Sequence, residues 1–143
     1  MSTSVQRFAF ATLLPICILA PGQALAGYRE ETHATSIEIA QLPRFCLAQF
    51  EVPGAEGDEF KITNCGWSMN HYCPGLIYFI RGRTSTNKAA AVSNLQHADV
   101  DVAYTEHGMA DYPNCPIRKH VQDTREELNR LLRLRGLKPM AGK

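Results

Sequence analysis

The segment NHYCPGLIYFIRG, residues 70–82, predicts a helix with a wide apolar face. Asn70 is a good N-cap, because its side-chain oxygen can accept hydrogen bonds from the free amides of the first turn. Pro74 falls in that first turn, where its missing N–H costs little. The apolar residues cover an arc of about 160°, wide enough to be buried against two neighbours. Gly82 is the predicted stop, because glycine supplies the left-handed conformation that ends many helices.

A first helix is predicted upstream, beginning at Ser36. Pro43 interrupts it, because proline removes a backbone donor and clashes with the preceding turn, so we expect a kink or two short helical pieces. Residues 52–66 form a loop rich in turn residues. A short extended piece is one option around residues 60–63, but so little alternation builds no regular sheet.

Two more helices are predicted downstream. The third covers residues 88–112 and ends before Pro113, with an apolar stripe on one face. The fourth is strongly amphipathic; Asn114 is its predicted cap and Gly136 its predicted stop. Four helices with short connections and one long loop predict an all-α, antiparallel helical array.

The first 26 residues have the layout of an export signal. Arg7 precedes an apolar run at residues 8–20, which is shorter than the roughly 20 residues that span a bilayer. The small-x-small triplet 24–26 then predicts cleavage after Ala26. We therefore expect a periplasmic or secreted protein with no membrane span after cleavage. The predicted parts are a signal peptide at 1–26, a flexible leader at 27–35, a helical domain at 36–136 and a frayed tail at 137–143.

The charges of the chain balance. The sequence has 15 basic and 14 acidic residues, and removal of Arg7 with the signal leaves fourteen of each. A nucleic-acid-binding protein normally carries a basic excess or stripe. The composition therefore argues against a nucleic-acid partner.

Four cysteines remain once Cys17 is removed with the signal: Cys46, Cys65, Cys73 and Cys115. An even number in an exported chain of this size suggests two disulfides. Cys46 and Cys73 lie on apolar helical faces, whereas the other two lie in a loop and a turn. Because like environments should meet, we favour the pairs Cys46–Cys73 and Cys65–Cys115. The main rival pairs Cys65 with Cys73.

A metal or redox site is the alternative use of the same region. Cys65, His71 and Cys73 are close in sequence, and Cys115 or His120 could complete a tetrahedral zinc site. Structural zinc sites usually show two tight cysteine pairs, and a thioredoxin-like site needs Cys-x-x-Cys. Neither pattern is present, so we predict no metal and no cofactor.

The sequence does not identify an activity. The nucleophile-elbow, P-loop and His-Glu-x-x-His motifs are absent, so we expect no enzyme. Trp67 and Met69, in the loop before helix two, are candidates for an exposed anchor, and Tyr72 and Tyr104 join them as candidate partner-binding residues. The other interpretation is that they cover an edge of the core. The leading hypothesis is a module of the cell envelope that binds a protein or peptide in a groove between helices two, three and four; a purely structural envelope protein is the alternative.

The segment CGWSMNHYCPGL, residues 65–76, resembles a motif in small exported bacterial proteins related to tetratricopeptide-repeat (TPR) proteins. In those proteins an Asn-His-Tyr-Cys-x-Gly-Leu helix follows a Pro-Arg-Phe/Tyr-Cys element, here residues 43–46. Gly108 and Pro113 occupy the positions of a repeat's small packing residue and terminal proline, whereas Asp101 and Thr105 depart from the pattern. The resemblance implies a TPR-like helical scaffold that binds protein. About one repeat fits, and arrays generally need about three, so the disulfides would supply stability that stacking cannot.

Overall fold

A computed structural model describes residues 31–140. We number its α-helices α1 (Ser36–Ile39), α2 (Tyr72–Thr84), α3 (Lys88–Gly108) and α4 (Arg118–Leu134). Three short 3₁₀ helices, Arg44–Phe50, Asp58–Phe60 and Trp67–His71, lie between α1 and α2. The residues described contain no strand, so the prediction of a helical protein with no regular sheet is confirmed. The predicted signal peptide lies outside this part of the chain.

The first predicted helix consists of two pieces, as the proline indicated. Thr35 caps α1 through a capping box, in which its hydroxyl accepts from the Glu38 amide and its own amide donates to the Glu38 carboxylate. Pro43 then precedes the 3₁₀ helix Arg44–Phe50. The short piece places Cys46 and Phe50 in the core.

Helix α2 begins and ends later than predicted. Asn70 lies inside the 3₁₀ helix Trp67–His71 and does not cap α2, whose N-cap position is His71. Gly82 does not stop the helix, which continues to Thr84. A Cβ on Gly82 would lie 2.7 Å from the side chain of Leu95. Gly82 is therefore a close-packing position between α2 and α3, and packing overrides its tendency to end a helix.

Helices α3 and α4 form where they were expected, with different ends. Asn87 caps α3 by accepting from the Ala90 amide at 3.0 Å. The helix ends at Gly108, before the predicted residue 112. The predicted cap Asn114 is outside α4, which begins at Arg118. Gly136 has φ +74° and follows the last turn, so its predicted role as the stop is confirmed.

Both predicted disulfides are present. Cys46 bonds to Cys73 at an S–S distance of 1.99 Å, and Cys65 bonds to Cys115 at 2.06 Å. The first joins the 3₁₀ helix Arg44–Phe50 to the first turn of α2. The second joins the long loop to the turn before α4. The rival pair Cys65–Cys73 is therefore wrong.

Residues on both sides of the predicted helical domain, 36–136, contact the helices. Thr32 and Ala34, in the predicted leader, are buried. Arg81 donates to the carbonyls of Thr32 and His33 at 2.9 and 3.2 Å and holds this segment against α2. In the predicted tail, the Met140 amide donates to the buried Asp99 carboxylate at 2.8 Å.

One hydrophobic core joins these elements. Helix α3 contacts both α2 and α4, and α2 is its more extensive neighbour. Within residues 31–140, no helix is both long and apolar enough to cross a bilayer.

Candidate functional site

A groove of about 380 Å³ lies between α2 and α4, with the turn after α1 at one end. Leu76, Phe79 and Ile80 line it from α2, successive positions on one face of that helix. Leu42 and Pro43 close the end. The volume lies in the range of known ligand pockets, and this wall of the groove is apolar.

The opposite wall is polar. Its residues are spaced i, i+3, i+4 and i+7 along α4, so they share one face of the helix: His120, Asp123, Thr124 and Glu127. Asp123 is paired with Lys119 at 2.7 Å and Glu127 with Arg130 at 2.7 Å. Arg83 is the cation on the α2 side. The groove therefore combines an apolar wall with a wall rich in hydrogen-bond acceptors.

Tyr72 lies beneath the polar wall and is fully buried. Its hydroxyl is 2.6 Å from Nδ1 of His120 and 2.9 Å from the hydroxyl of Thr124. Thr124 in turn donates to the carbonyl of His120 at 2.9 Å. Burial raises the pKa of Tyr72 above its ordinary value and lowers the pKa of His120 below 6.5. In both groups burial therefore favours the neutral form.

The Cys46–Cys73 disulfide lies next to this network. Phe45 and Tyr72 are the chain neighbours of the two bonded cysteines. The Phe45 ring contacts His120 edge-on at 5.3 Å and stacks with Tyr72 at 6.4 Å. The Tyr72 ring also meets the imidazole edge-on at 5.8 Å, so one hydrogen bond and two ring contacts hold His120.

A second, separate surface surrounds Trp67. The Trp67 side chain is 67% exposed and meets the ring of Tyr104, 37% exposed, edge-on at 5.1 Å. His71 contacts the same Tyr104 ring at 4.4 Å, and its Nδ1 is 3.3 Å from the Asp101 carboxylate. Burial raises the pKa of Asp101 above its ordinary value, although His71 opposes the shift.

The four candidate partner-binding residues do not form one surface. Trp67 and Tyr104 are together and exposed, whereas Met69 is 4% exposed and Tyr72 is enclosed. Trp67 and Met69 are in the same short 3₁₀ helix, whose side chains point in different directions, and Tyr72 begins α2 with its ring in the core. The burial of Met69 and Tyr72 matches the interpretation that they belong to the core and not to an exposed binding surface.

The alternative metal or redox set is not available as free ligands. Cys65 and Cys73 are bonded to different cysteines, and His71 pairs with Asp101. Among residues 31–140 there is no group of three or more His, Cys, Asp or Glu side chains that could hold a metal ion.

The polar wall of the groove was not recognised from sequence. In the sequence, His120 is a candidate only as a fourth zinc ligand, and no motif marks Asp123, Thr124 or Glu127. Their i, i+3, i+4, i+7 spacing was visible on an amphipathic helix. The contact with Tyr72, 48 residues earlier in the chain, was not.

Comparison with known proteins yields no relative. No protein-family model, no curated protein and no solved structure matches this chain.

Proposed function

We propose that this protein is an exported, non-enzymatic helical module that binds a peptide segment of a partner protein in the groove between α2 and α4. The observation that carries the proposal is the composition of the groove. An apolar wall from α2 faces an acceptor-rich wall from α4 across about 380 Å³. Peptide grooves of this kind take apolar anchors on one side and polar contacts on the other.

The chemistry of the two walls favours one kind of peptide. A large apolar side chain of the peptide contacts Leu76, Phe79 and Ile80; because these are already 5–8% exposed, the apolar surface removed from water is mainly the peptide's own. Hydrogen-bond donors of the same peptide face α4, where Asp123 and Glu127 favour a lysine or arginine. We therefore expect a segment with a large apolar residue near a basic residue.

The proposed kinship with TPR-related exported proteins is supported by one packing detail. A Cβ on Gly108 would clash with the side chain of Ser68. Residue 108 is thus a position that needs a small side chain, as the resemblance requires. An antiparallel, TPR-like arrangement of the helices belongs to the same proposal.

Export to an envelope compartment is supported by the two disulfides, since such bonds form and persist in oxidising compartments. N-terminal sequencing of the protein recovered from the periplasm or the medium tests it. We expect the recovered chain to begin at Gly27. Intact protein with free thiols in the cytosol would contradict export.

Peptide binding is tested by selecting from a random peptide library displayed on phage, with the immobilised oxidised protein as bait. Affinity of the selected peptide is then measured by fluorescence anisotropy. Asp123→Arg reverses a charge on the groove wall and should weaken binding about tenfold or more. Glu126→Arg makes the same change at an exposed position of α4 outside the groove and should leave binding unchanged.

Two outcomes would overturn the proposal. One is the absence of any enriched peptide, which would favour a purely structural envelope protein. The other is a selected peptide whose affinity is lowered equally by the two charge reversals, because that result would place binding outside the groove.

A further inference from the structure

Three contacts around the hydroxyl of Tyr72 form one chain of hydrogen bonds. The Tyr72 oxygen lies 2.6 Å from His120 Nδ1 and 2.9 Å from Thr124 Oγ1, and Thr124 Oγ1 lies 2.9 Å from the backbone oxygen of His120. Each hydroxyl has one proton, and a carbonyl oxygen only accepts. The donor and the acceptor of each of these hydrogen bonds therefore follow from the number of protons available.

The carbonyl of His120 can only accept, so the Thr124 proton points to it. Thr124 Oγ1 then accepts from Tyr72, which uses the single proton of the phenol. The remaining contact is satisfied only if Nδ1 of His120 carries a proton and donates it to the Tyr72 oxygen. A neutral imidazole has one N–H, so Nε2 is unprotonated.

The Nε2 atom of His120 is not enclosed, and the residue as a whole is half-buried. Nε2 has no hydrogen-bond partner within the described part of the chain, and it is not one of the polar atoms enclosed without a partner there. His120 itself lines the groove. The lone pair of Nε2 is thus available to a molecule bound there.

We propose that the Tyr72–Thr124 chain holds His120 in the Nδ1–H form, so that Nε2 accepts a hydrogen bond from an N–H or O–H donor of the bound peptide. This inference rests on the proposed function and adds the chemistry of one contact. The recognised feature is a donor next to the apolar anchor, such as a backbone amide or an amide or indole N–H. A peptide that offers only an acceptor at that point is rejected, because two lone pairs would face each other.

Acid should release such a peptide. Protonation of Nε2 replaces the acceptor with a donor and adds positive charge to the polar wall. The Tyr72 hydroxyl and the uncharged Phe45 ring contact the imidazole, and the charged groups that line the same groove are Arg83 on α2 and Asp123 and Glu127 on α4. Burial lowers the pKa of His120 and outweighs the opposing effect of Asp123. Binding should therefore be constant at neutral pH and weaken below the ordinary range of histidine.

The first test is the tautomer, measured on the free, full disulfide-bonded chain by the nitrogen chemical shifts of the imidazole. We expect a protonated Nδ1 and a bare Nε2 for His120 at pH 7. The Thr124→Val variant keeps the shape but removes the acceptor for the Tyr72 proton, which then goes to Nδ1. Its His120 should switch to the Nε2–H form.

The second test is the affinity of the selected peptide. Thr124→Val should weaken binding about tenfold, because the acceptor in the groove becomes a donor. Thr105→Val is the matched control: Thr105 also donates to the carbonyl four residues earlier, but on α3 and away from the groove. It should leave the affinity unchanged.

The outcomes separate the two levels of the proposal. An Nε2–H tautomer in the wild type, or a Thr124→Val variant that binds like the wild type, overturns the role of His120 while groove binding stands. Failure to select any peptide overturns the proposed function, and with it the recognition of a donor. If Thr105→Val loses as much affinity as Thr124→Val, the effect is one of stability and the inference is wrong.

Discussion

Removal of the Cys65–Cys115 disulfide should cost about 4 kcal/mol of unfolding free energy. The two cysteines are 50 positions apart, and the chain-entropy model gives about 4.1 kcal/mol for closing such a loop. The same model gives about 3.6 kcal/mol for Cys46–Cys73, whose partners are 27 positions apart. Net stability of a small domain is about 5–15 kcal/mol, so either loss is large.

The measurement is chemical unfolding in urea followed by far-UV circular dichroism, on the wild type and on the two double variants Cys65→Ala/Cys115→Ala and Cys46→Ala/Cys73→Ala. Both variants should show lower midpoints and steeper m-values, because the unfolded chain exposes more surface once a cross-link is gone. All four cysteines are buried, so the cost of the lost sulfur atoms should be similar in the two pairs.

The results can refute this reasoning in two ways. A loss below about 1 kcal/mol for either pair would mean that loop closure contributes little, against the chain-entropy account. A loss for Cys46–Cys73 that exceeds the other by more than about 2 kcal/mol would show that packing beside Phe45 and Tyr72 dominates over loop length.

Three more predictions concern single positions. Gly82→Ala should destabilise the protein by about 1–3 kcal/mol in thermal unfolding, because the new methyl group would meet Leu95; a stabilised variant would contradict the close approach of α2 and α3. Arg81 holds the pKa of Glu38 at about 2, so this pair's contribution should be complete above pH 4.5 and lost as the pH falls towards 2; Glu38→Gln should flatten that part of the stability profile, and an unchanged profile would count against the pair. Trp67 is the single tryptophan and largely exposed, so its fluorescence should be quenched readily by acrylamide in the native state; strong protection would show that something covers it.

Local signals predicted most of the secondary structure correctly. Pro43 divides the first helical region and Gly136 ends the last helix. Each effect comes from the backbone conformation that the residue itself allows, and not from contacts with distant residues. The disulfide pairs were predictable for a related reason. Two cysteines on apolar helical faces are buried together and can bond, which leaves the cysteine in the loop to bond with the cysteine in the turn. These inferences needed no knowledge of how the helices are arranged.

The errors arose where distant residues decide. The sequence predicts that Gly82 ends its helix, but Gly82 lies inside α2, where it packs closely against Leu95. Asp99 of α3 is charged, yet it is buried, because Arg125 of α4 pairs with it and the Met140 amide donates to it. The residues that line the groove were not predictable for the same reason, since its two walls come from helices that are far apart in sequence.

The order of the cysteines along the chain has a consequence for proteolysis. The loop closed by Cys46 and Cys73 overlaps the loop closed by Cys65 and Cys115, and neither contains the other. Any one peptide bond between residues 46 and 115 can therefore be cut without producing two separate molecules, since at least one sulfur bridge always spans the cut. A nicked chain would keep its mass, increased by one water, until a reductant is added, and only then would it fall into two fragments.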